Sequence, residues 1–394
     1  MTIIQTVKNF GATADLHDDG TVTTSGDPDF GGDSSTVQHI LNSVTKLFST
    51  ESAFAALKAD GTVTTWGHPE DGGDSKSVQH LLTNVSAITA TGSAFAALKA
   101  DGTVAAWGHP DFGSNISAVQ HLLTNVTTIF ANSHAFAALK ADGTVVTWGD
   151  PDDGGDSSAV QHLLKDVTEL FSTYDAFAAL KTDGTIVTWG FPAYGGDSSA
   201  IQDLLTNVTT ITTTNFSFAA LKADGTVVTW GYPFDGGDSS AVQHRLTNVT
   251  AIAATDYAFA VLRTDGTIVT WGDPINGGNS SPVQNLLAKV KTISATKWAF
   301  ATLKTDGTVV TWGDPINGGD SSPVQHLLTA VKTIAATGWA FAALKADGTI
   351  VTWGHPYSGG NSSAMQKDLI NIQRIIANEY GFTAIKANGT EISW

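Results

Sequence analysis

The sequence predicts a mainly β protein: about ten small three-stranded sheets in tandem, joined by nine connectors that each carry a short helix. Three observations on the 394-residue chain point there. A hairpin pattern, F-A-A-L-K-A-D-G-T-V-V-T-W-G at Phe136 to Gly149, returns every 41 residues. Its turn is an Asp-Gly pair at Asp19, Asp60, Asp101, Asp142, Asp183, Asp224, Asp265, Asp306 and Asp347, with Asn388-Gly389 as a tenth copy. Asp-Gly between apolar runs is a strong hairpin signal, because Gly accepts positive φ and Asp tolerates it. A third run, rich in β-branched residues, precedes each hairpin. A fixed period overrides the domain count that length alone suggests, since repeats stack into one body. One repeat array over 1–394 is expected, with divergent end units at 1–26 and 371–394.

Within the fourth copy the strands are expected at Val126 to Phe130, Phe136 to Lys140 and Thr144 to Trp148. The second is apolar on both faces, which in a short strand means a sheet covered on both sides. A lone three-stranded sheet cannot supply that cover, so each needs a copy in front and another behind. The first copy has Ser25 where later copies have Trp66, Trp107, Trp148 and their equivalents, and the last has Asn388 and Glu391. The connector opens with a Gly, Pro and Asp loop, Gly149 to Gly155. Ser158 and Gln161 fit a capping box, and Pro282 and Pro323 fit a first helical position, so the spacing predicts a helix of about two turns. Lys76 breaks the box in the second copy.

Net charge is -17 with a pI near 4.8. That argues against a phosphate backbone as ligand and is compatible with a basic partner. With no cysteine there is no disulfide, thiolate nucleophile or Cys-ligated metal. The first residues lack a basic and then apolar leader, so no secretory signal is expected; cytoplasmic residence and signal-independent export both stay open. No apolar run is long enough to span a bilayer. The N-x-S/T triplets, such as Asn84-Val85-Ser86, are read as incidental.

Each period thus reads W-G, a Gly-containing loop, V-x-x-L-L-x-x-V-x-x-I, then A-x-A-L-x-x-D-G-T-V-x-x-W-G. This resembles the repeat of the regulator of chromosome condensation family. It is closer still to the short-period, three-stranded version in secreted bacterial β-lactamase inhibitory propeller proteins. The resemblance covers essentially the whole chain, and its most specific part is Leu139 to Gly149. It implies a β-propeller with the sheets as blades, and binding through aromatic loop residues on one face. Three features depart from the family: G-G-D-S-S replaces a G-Q-L-G-like loop, Ala135 stands where His is common, and ten copies exceed the usual ring of 4–8 blades. A wide ring and an open superhelical stack with capped ends are both compatible with that.

The copies can be compared with one another. The Asp-Gly turn scarcely changes, whereas two windows vary: the turn between the first and second strands, and the loop after Trp-Gly. In an up-down-up meander both windows fall on one face, opposite the Asp-Gly turns. Variable, aromatic-rich loops on a constant scaffold suit a recognition surface. The candidate partner-binding residues are Tyr174, Phe216, Tyr257, Trp298 and Trp339 in the first window and Tyr194, Phe234 and Tyr357 in the second. Drift of unconstrained turns, with aromatics capping sheet edges, would give a similar pattern.

Metal, cofactor and catalytic sites are not expected. His39, His80, His121, His162, His244 and His326 recur once per connector, a ladder of solvated residues without convergence. The Asp150 to Asp156 loop has calcium-like oxygen density, yet Asn115, Asn279 and Asn361 stand at its last position in other copies, so its acids are read as serving the loop. No asymmetric catalytic constellation stands out. The expected function is a non-enzymatic scaffold for a protein partner. A multivalent carbohydrate-binding protein and a structural segment of a larger surface protein are the alternatives.

Overall fold

The computed structural model describes residues 3–394. Among them the chain forms ten three-stranded antiparallel sheets, the strands of each lying side by side in chain order. They fall into two compact units, one running through Gln202 and one from Asp203. Each unit holds five sheets.

The fourth sheet shows the common plan. Its strands are Val126–Ala131, Ala135–Lys140 and Val145–Gly149. Phe136 pairs with Trp148 and Ala138 with Val146 across the hairpin. The central strand is sealed on both sides: Ala135, Phe136, Ala137 and Ala138 are all 0% exposed. Phe136 and Ala138 pack against Ala94, Ala96 and Leu98 of the preceding sheet. Ala135 and Ala137 pack against Phe177 and Ala179 of the following one. This explains why the strand has no polar face. Burying one Phe side chain in this way stabilises by about 1.5–3 kcal/mol. Trp148 lies flat on Phe136, with ring centroids 5.1 Å apart. Its indole N–H reaches back to donate to the Gly113 carbonyl at 2.9 Å.

The hairpin turn occupies the three residues left between the expected strands, Ala141 to Gly143. Lys140 N–H donates to Thr144 O at 2.9 Å and Gly143 N–H to Lys140 O at 2.9 Å, closing a three-residue loop. Only Gly143 takes positive φ, at 76°. Asp142 serves through its side chain instead: Oδ1 accepts from Thr144 N–H at 3.0 Å and from its hydroxyl at 2.6 Å. This is a type I turn closed by a glycine bulge, the other common hairpin solution. The Gly143 carbonyl then accepts from Val167 N–H at 2.9 Å, docking the turn on the next repeat.

The connector helix is shorter than the two turns expected, being a single 3-10 turn at Gln161–Leu163. The capping box does not form. Ser157, not Ser158, meets Gln161, its Oγ donating to Oε1 at 2.8 Å. The Gln161 amide donates to Val145 O at 2.9 Å, so this pair ties the connector to its own sheet. Val160 stands at the N-cap and offers no side-chain acceptor. Pro282 precedes the turn at Gln284–Leu286, outside the first helical position. Pro323 likewise precedes Gln325–Leu327. No helix among the described residues is long and apolar enough to cross a membrane.

Candidate functional site

The two variable windows meet at one end of each sheet. In the repeat of Tyr257, Thr255 Oγ1 donates to Asn276 O at 3.0 Å. Asp273 N–H donates to Tyr257 O at 2.9 Å, so turn and loop are stitched together. Equivalent threonine bonds run from Thr214 to Asp235 O at 3.1 Å and from Thr296 to Asn317 O at 3.0 Å.

A backbone ladder joins successive turns. In the unit from Asp203, Asn215 N–H donates to Asp256 O at 2.8 Å, and Asp256 to Lys297 O, Lys297 to Gly338 O and Gly338 to Glu379 O at 2.9 Å each. The same ladder in the first unit runs from Phe10 through Glu51, Gly92 and Ser133 to Tyr174 O. Sheets packed face to face stand about 10 Å apart, whereas turns bonded in this way approach to about the 4.8 Å of paired strands. The residue after each ladder position is therefore presented at stacking distance from its copy one period on.

In the second unit that residue is aromatic five times: Phe216, Tyr257, Trp298, Trp339 and Tyr380, all half-buried. Ring centroids are 6.3 Å apart for Phe216 and Tyr257, and 5.2 Å for Tyr257 and Trp298. Trp339 and Tyr380 stack at 5.2 Å. Beside this column runs a second, one residue past the loop proline: Phe234 is 74% exposed, Ile275 69%, Ile316 66% and Tyr357 89%. Tyr232 links the columns, 6.4 Å from Phe216 and 5.7 Å from Phe234.

Six of the eight candidate residues thus lie on this face. Tyr174 and Tyr194 do not belong to either column. Tyr174 sits at the ladder position itself, its carbonyl accepting from Ser133 N–H at 3.1 Å, and Asp175 takes the place equivalent to Phe216. Tyr194 is half-buried against Phe191, with rings 5.0 Å apart, and is equivalent to Asp235. Tyr380, Ile275 and Ile316 are the members that reading for aromatic windows missed; a step of one period from Trp339, Phe234 or Tyr357 finds all three. In the first unit the second column is exposed, and acidic at four of its five positions, Asp29, Glu70, Asp111 and Asp152, with Ala193 at the fifth.

Charge on the aromatic face is mainly negative. Asp235 is 8% exposed, and burial, then Asp273, pushes its carboxyl up to about 6. Burial also raises Asp256, with Lys297 opposing it. The Tyr257 and Tyr380 phenols are raised, chiefly by burial. Lys297 Nζ lies 4.8 Å over the Trp339 ring and 2.6 Å from Glu379 Oε1. By contrast, the connector histidines are all exposed. The loop acids bond their own backbone: Asp156 Oδ1 accepts from Ser158 N–H at 2.8 Å and Asp150 Oδ1 from Asp152 N–H at 2.9 Å.

No family model and no curated protein matches the chain. Among solved structures it is similar to yeast RCC1 (Prp20), crystallised with Kap60, at 17% identity and a TM-score of 0.37, covering 68% of this chain and 70% of that one. Human WBSCR16 gives 15% identity and a TM-score of 0.38, over 66% of this chain and 87% of that one. The computationally designed Ika8 protein gives 19% identity and a TM-score of 0.34, over 79% and 96%. Each superposition is partial.

Proposed function

We propose that this protein is a non-catalytic recognition scaffold that binds a protein partner through the two columns of the unit from Asp203. The observation that carries the reading is the second column. Four large apolar side chains, Phe234, Ile275, Ile316 and Tyr357, stand 66–89% exposed at one position of four successive repeats. Scattered exposed apolar residues are ordinary, but an aligned set beside an aromatic column forms a patch of the kind that marks interfaces. Tyr and Trp are the residue types that anchor such contacts. Asp235, Asp256, Asp273, Asp314 and Glu379 border the columns against one lysine, Lys297, which favours a partner that is apolar and basic. Lys297 itself, held between an indole face and a carboxylate, is an internal instance of the cation this face suits.

The repeat is assigned with this to the short-period, three-stranded bacterial version of the regulator of chromosome condensation pattern. Its motif positions support the assignment, since Asp142 ties the turn, Gly143 bends it and Trp148 bonds the preceding repeat. The test replaces Phe234, Ile275, Ile316 and Tyr357 together by Ser. Proteins captured by immobilised wild type from host lysate should be lost from this variant. They should stay on a control with Asp29, Glu70, Asp111 and Asp152 changed to Ser. Equal capture by both variants would reject the reading.

A second reading has one observation in its favour. Grooves of about 820 and 460 Å³ lie at equivalent places between successive connectors, lined by Val37, Val63 and Gln79 in one and Val283, Val309 and Gln325 in the other. Repeated grooves suit a multivalent glycan binder. However, the Gln79 and Gln325 amides already donate to Val63 and Val309 carbonyls at 3.0 Å. Glycan titration with a stoichiometry well above one would favour this reading over the first.

A further inference from the structure

The turn of the fourth repeat is unlike its neighbours. Asn132 begins it where Thr50, Thr91 and Thr173 begin the others, and His134 stands where Ser52 and Ser93 stand. His134 Nδ1 faces two carboxylates, 2.9 Å from Asp175 Oδ1 and 3.3 Å from Asp153 Oδ2. The side chains are 29%, 14% and 18% exposed respectively. One donor atom from each falls within 4.8 Å of the other two, the one such His and acid grouping among the described residues.

We infer that His134, Asp153 and Asp175 form a binding site for one divalent first-row transition ion of the Zn2+ type. The donor set selects the class. One imidazole nitrogen with two carboxylate oxygens suits Zn2+ and its neighbours, whereas Ca2+ takes oxygens alone. The spacing is also close. Bonds of about 2.0–2.1 Å in a tetrahedral site put ligand atoms about 3.3–3.4 Å apart, against 2.9 and 3.3 Å from His134 Nδ1 to the two carboxylate oxygens. Three protein ligands would leave the remaining position to water.

Charge points the same way. Two carboxylates against one imidazole leave the cluster with an excess of negative charge in a half-buried place. The frame is set as well. Asn132 Oδ1 accepts from His134 N–H at 2.9 Å, and its amide donates to Asp153 O at 2.6 Å. The imidazole lies 4.9 Å from Phe112 and 6.1 Å from Tyr174, ring to ring. Because Asp175 belongs to the fifth sheet and His134 to the fourth, the ion would staple two repeats.

The test uses the full chain, stripped with chelator and titrated with ZnCl2 and CoCl2 by calorimetry. One equivalent should bind with a rise in melting temperature, and bound Co2+ should show the visible absorption of a tetrahedral site. His134→Ala and Asp153→Asn should each weaken binding at least tenfold. His68→Ala, which removes a two-member pair with Asp71 at 3.0 Å, should leave it unchanged. Circular dichroism of each variant checks the fold, and the near-isosteric Asp153→Asn guards against a packing loss at His134. No binding by wild type, unchanged affinity in both cluster variants, or preference for Ca2+ over Zn2+ would overturn the assignment.

Discussion

Trp339 and Tyr380, one period apart, lie face to face with ring centroids at 5.2 Å and planes 22° from parallel. The backbone explains the distance, since Gly338 N–H donates to Glu379 O at 2.9 Å immediately before the two rings. Stacked aromatic pairs contribute about 0.5–1.5 kcal/mol beyond the area they bury. Trp339→Ala is therefore expected to lower the unfolding free energy by about 1–2 kcal/mol, with Trp339→Phe recovering most of it. Urea titration followed by circular dichroism measures both. Equal losses in the two variants would mean that the stack contributes nothing.

The buried tryptophans serve a different purpose from the half-buried ones. Trp148 sends its indole N–H to Gly113 O at 2.9 Å, and similar bonds join Trp189 to Gly154 and Trp312 to Gly277. Trp148→Phe keeps an aromatic ring on Phe136 but strands a buried carbonyl, at a cost of about 1–3 kcal/mol. Gly113→Ala should do at least as much harm. Gly113 has φ of 101°, and an added Cβ would lie 2.7 Å from the Phe136 ring. Thermal melts of the two variants check this, and a wild-type melting temperature for Gly113→Ala would refute the packing account.

The period made the sheets legible, because a strand reading F-A-A-L with no polar face can exist only between copies of itself. Side chains that act across elements were harder to read. Ser158 and Gln161 have the spacing of a capping box, yet it is Ser157 that bonds Gln161, and both look inward to Thr147 and Val145. Tyr174 looked equivalent to Phe216 because adjacent positions of a short turn vary together; the ladder separates them. Ile275 and Ile316 escaped a search for aromatics, although they share a register with Phe234. The His134 cluster draws one residue from each of three segments, and no spacing along the chain announces it.

Two sets of carboxylates should give opposite pH dependences. Asp142 and its turn equivalents are held below the usual range, chiefly by the threonine hydroxyl and amide. They contribute stability that is present above the unfolded value of 3.8 and lost as pH falls through the folded value. Asp235 is raised from 3.8 to about 6, so its contribution is complete below 3.8 and disappears as pH rises through about 6. Asp235→Asn should therefore gain on wild type in melting temperature between pH 4 and 6, with a plateau above. A difference between the two proteins that stays flat over that range would contradict the placement of this carboxyl.

Lys297 offers the most direct test of what the aromatic face accepts. Its side chain is 37% exposed and that of Glu379 46%, so their ion pair is a surface bridge worth about 0–1 kcal/mol. Lys297→Ala should accordingly change the melting temperature little. It would, however, vacate the Trp339 face and free the Glu379 carboxylate, leaving both to an incoming cation. A lysine-rich peptide should bind the variant more tightly than wild type, with a steeper loss of affinity in salt. Trp298 and Trp339 are only half-buried, unlike Trp148 or Trp312, so quenching of their fluorescence can report the titration. If Lys297→Ala binds the peptide no better than wild type, the internal lysine is a spectator and the complement of this face is apolar alone.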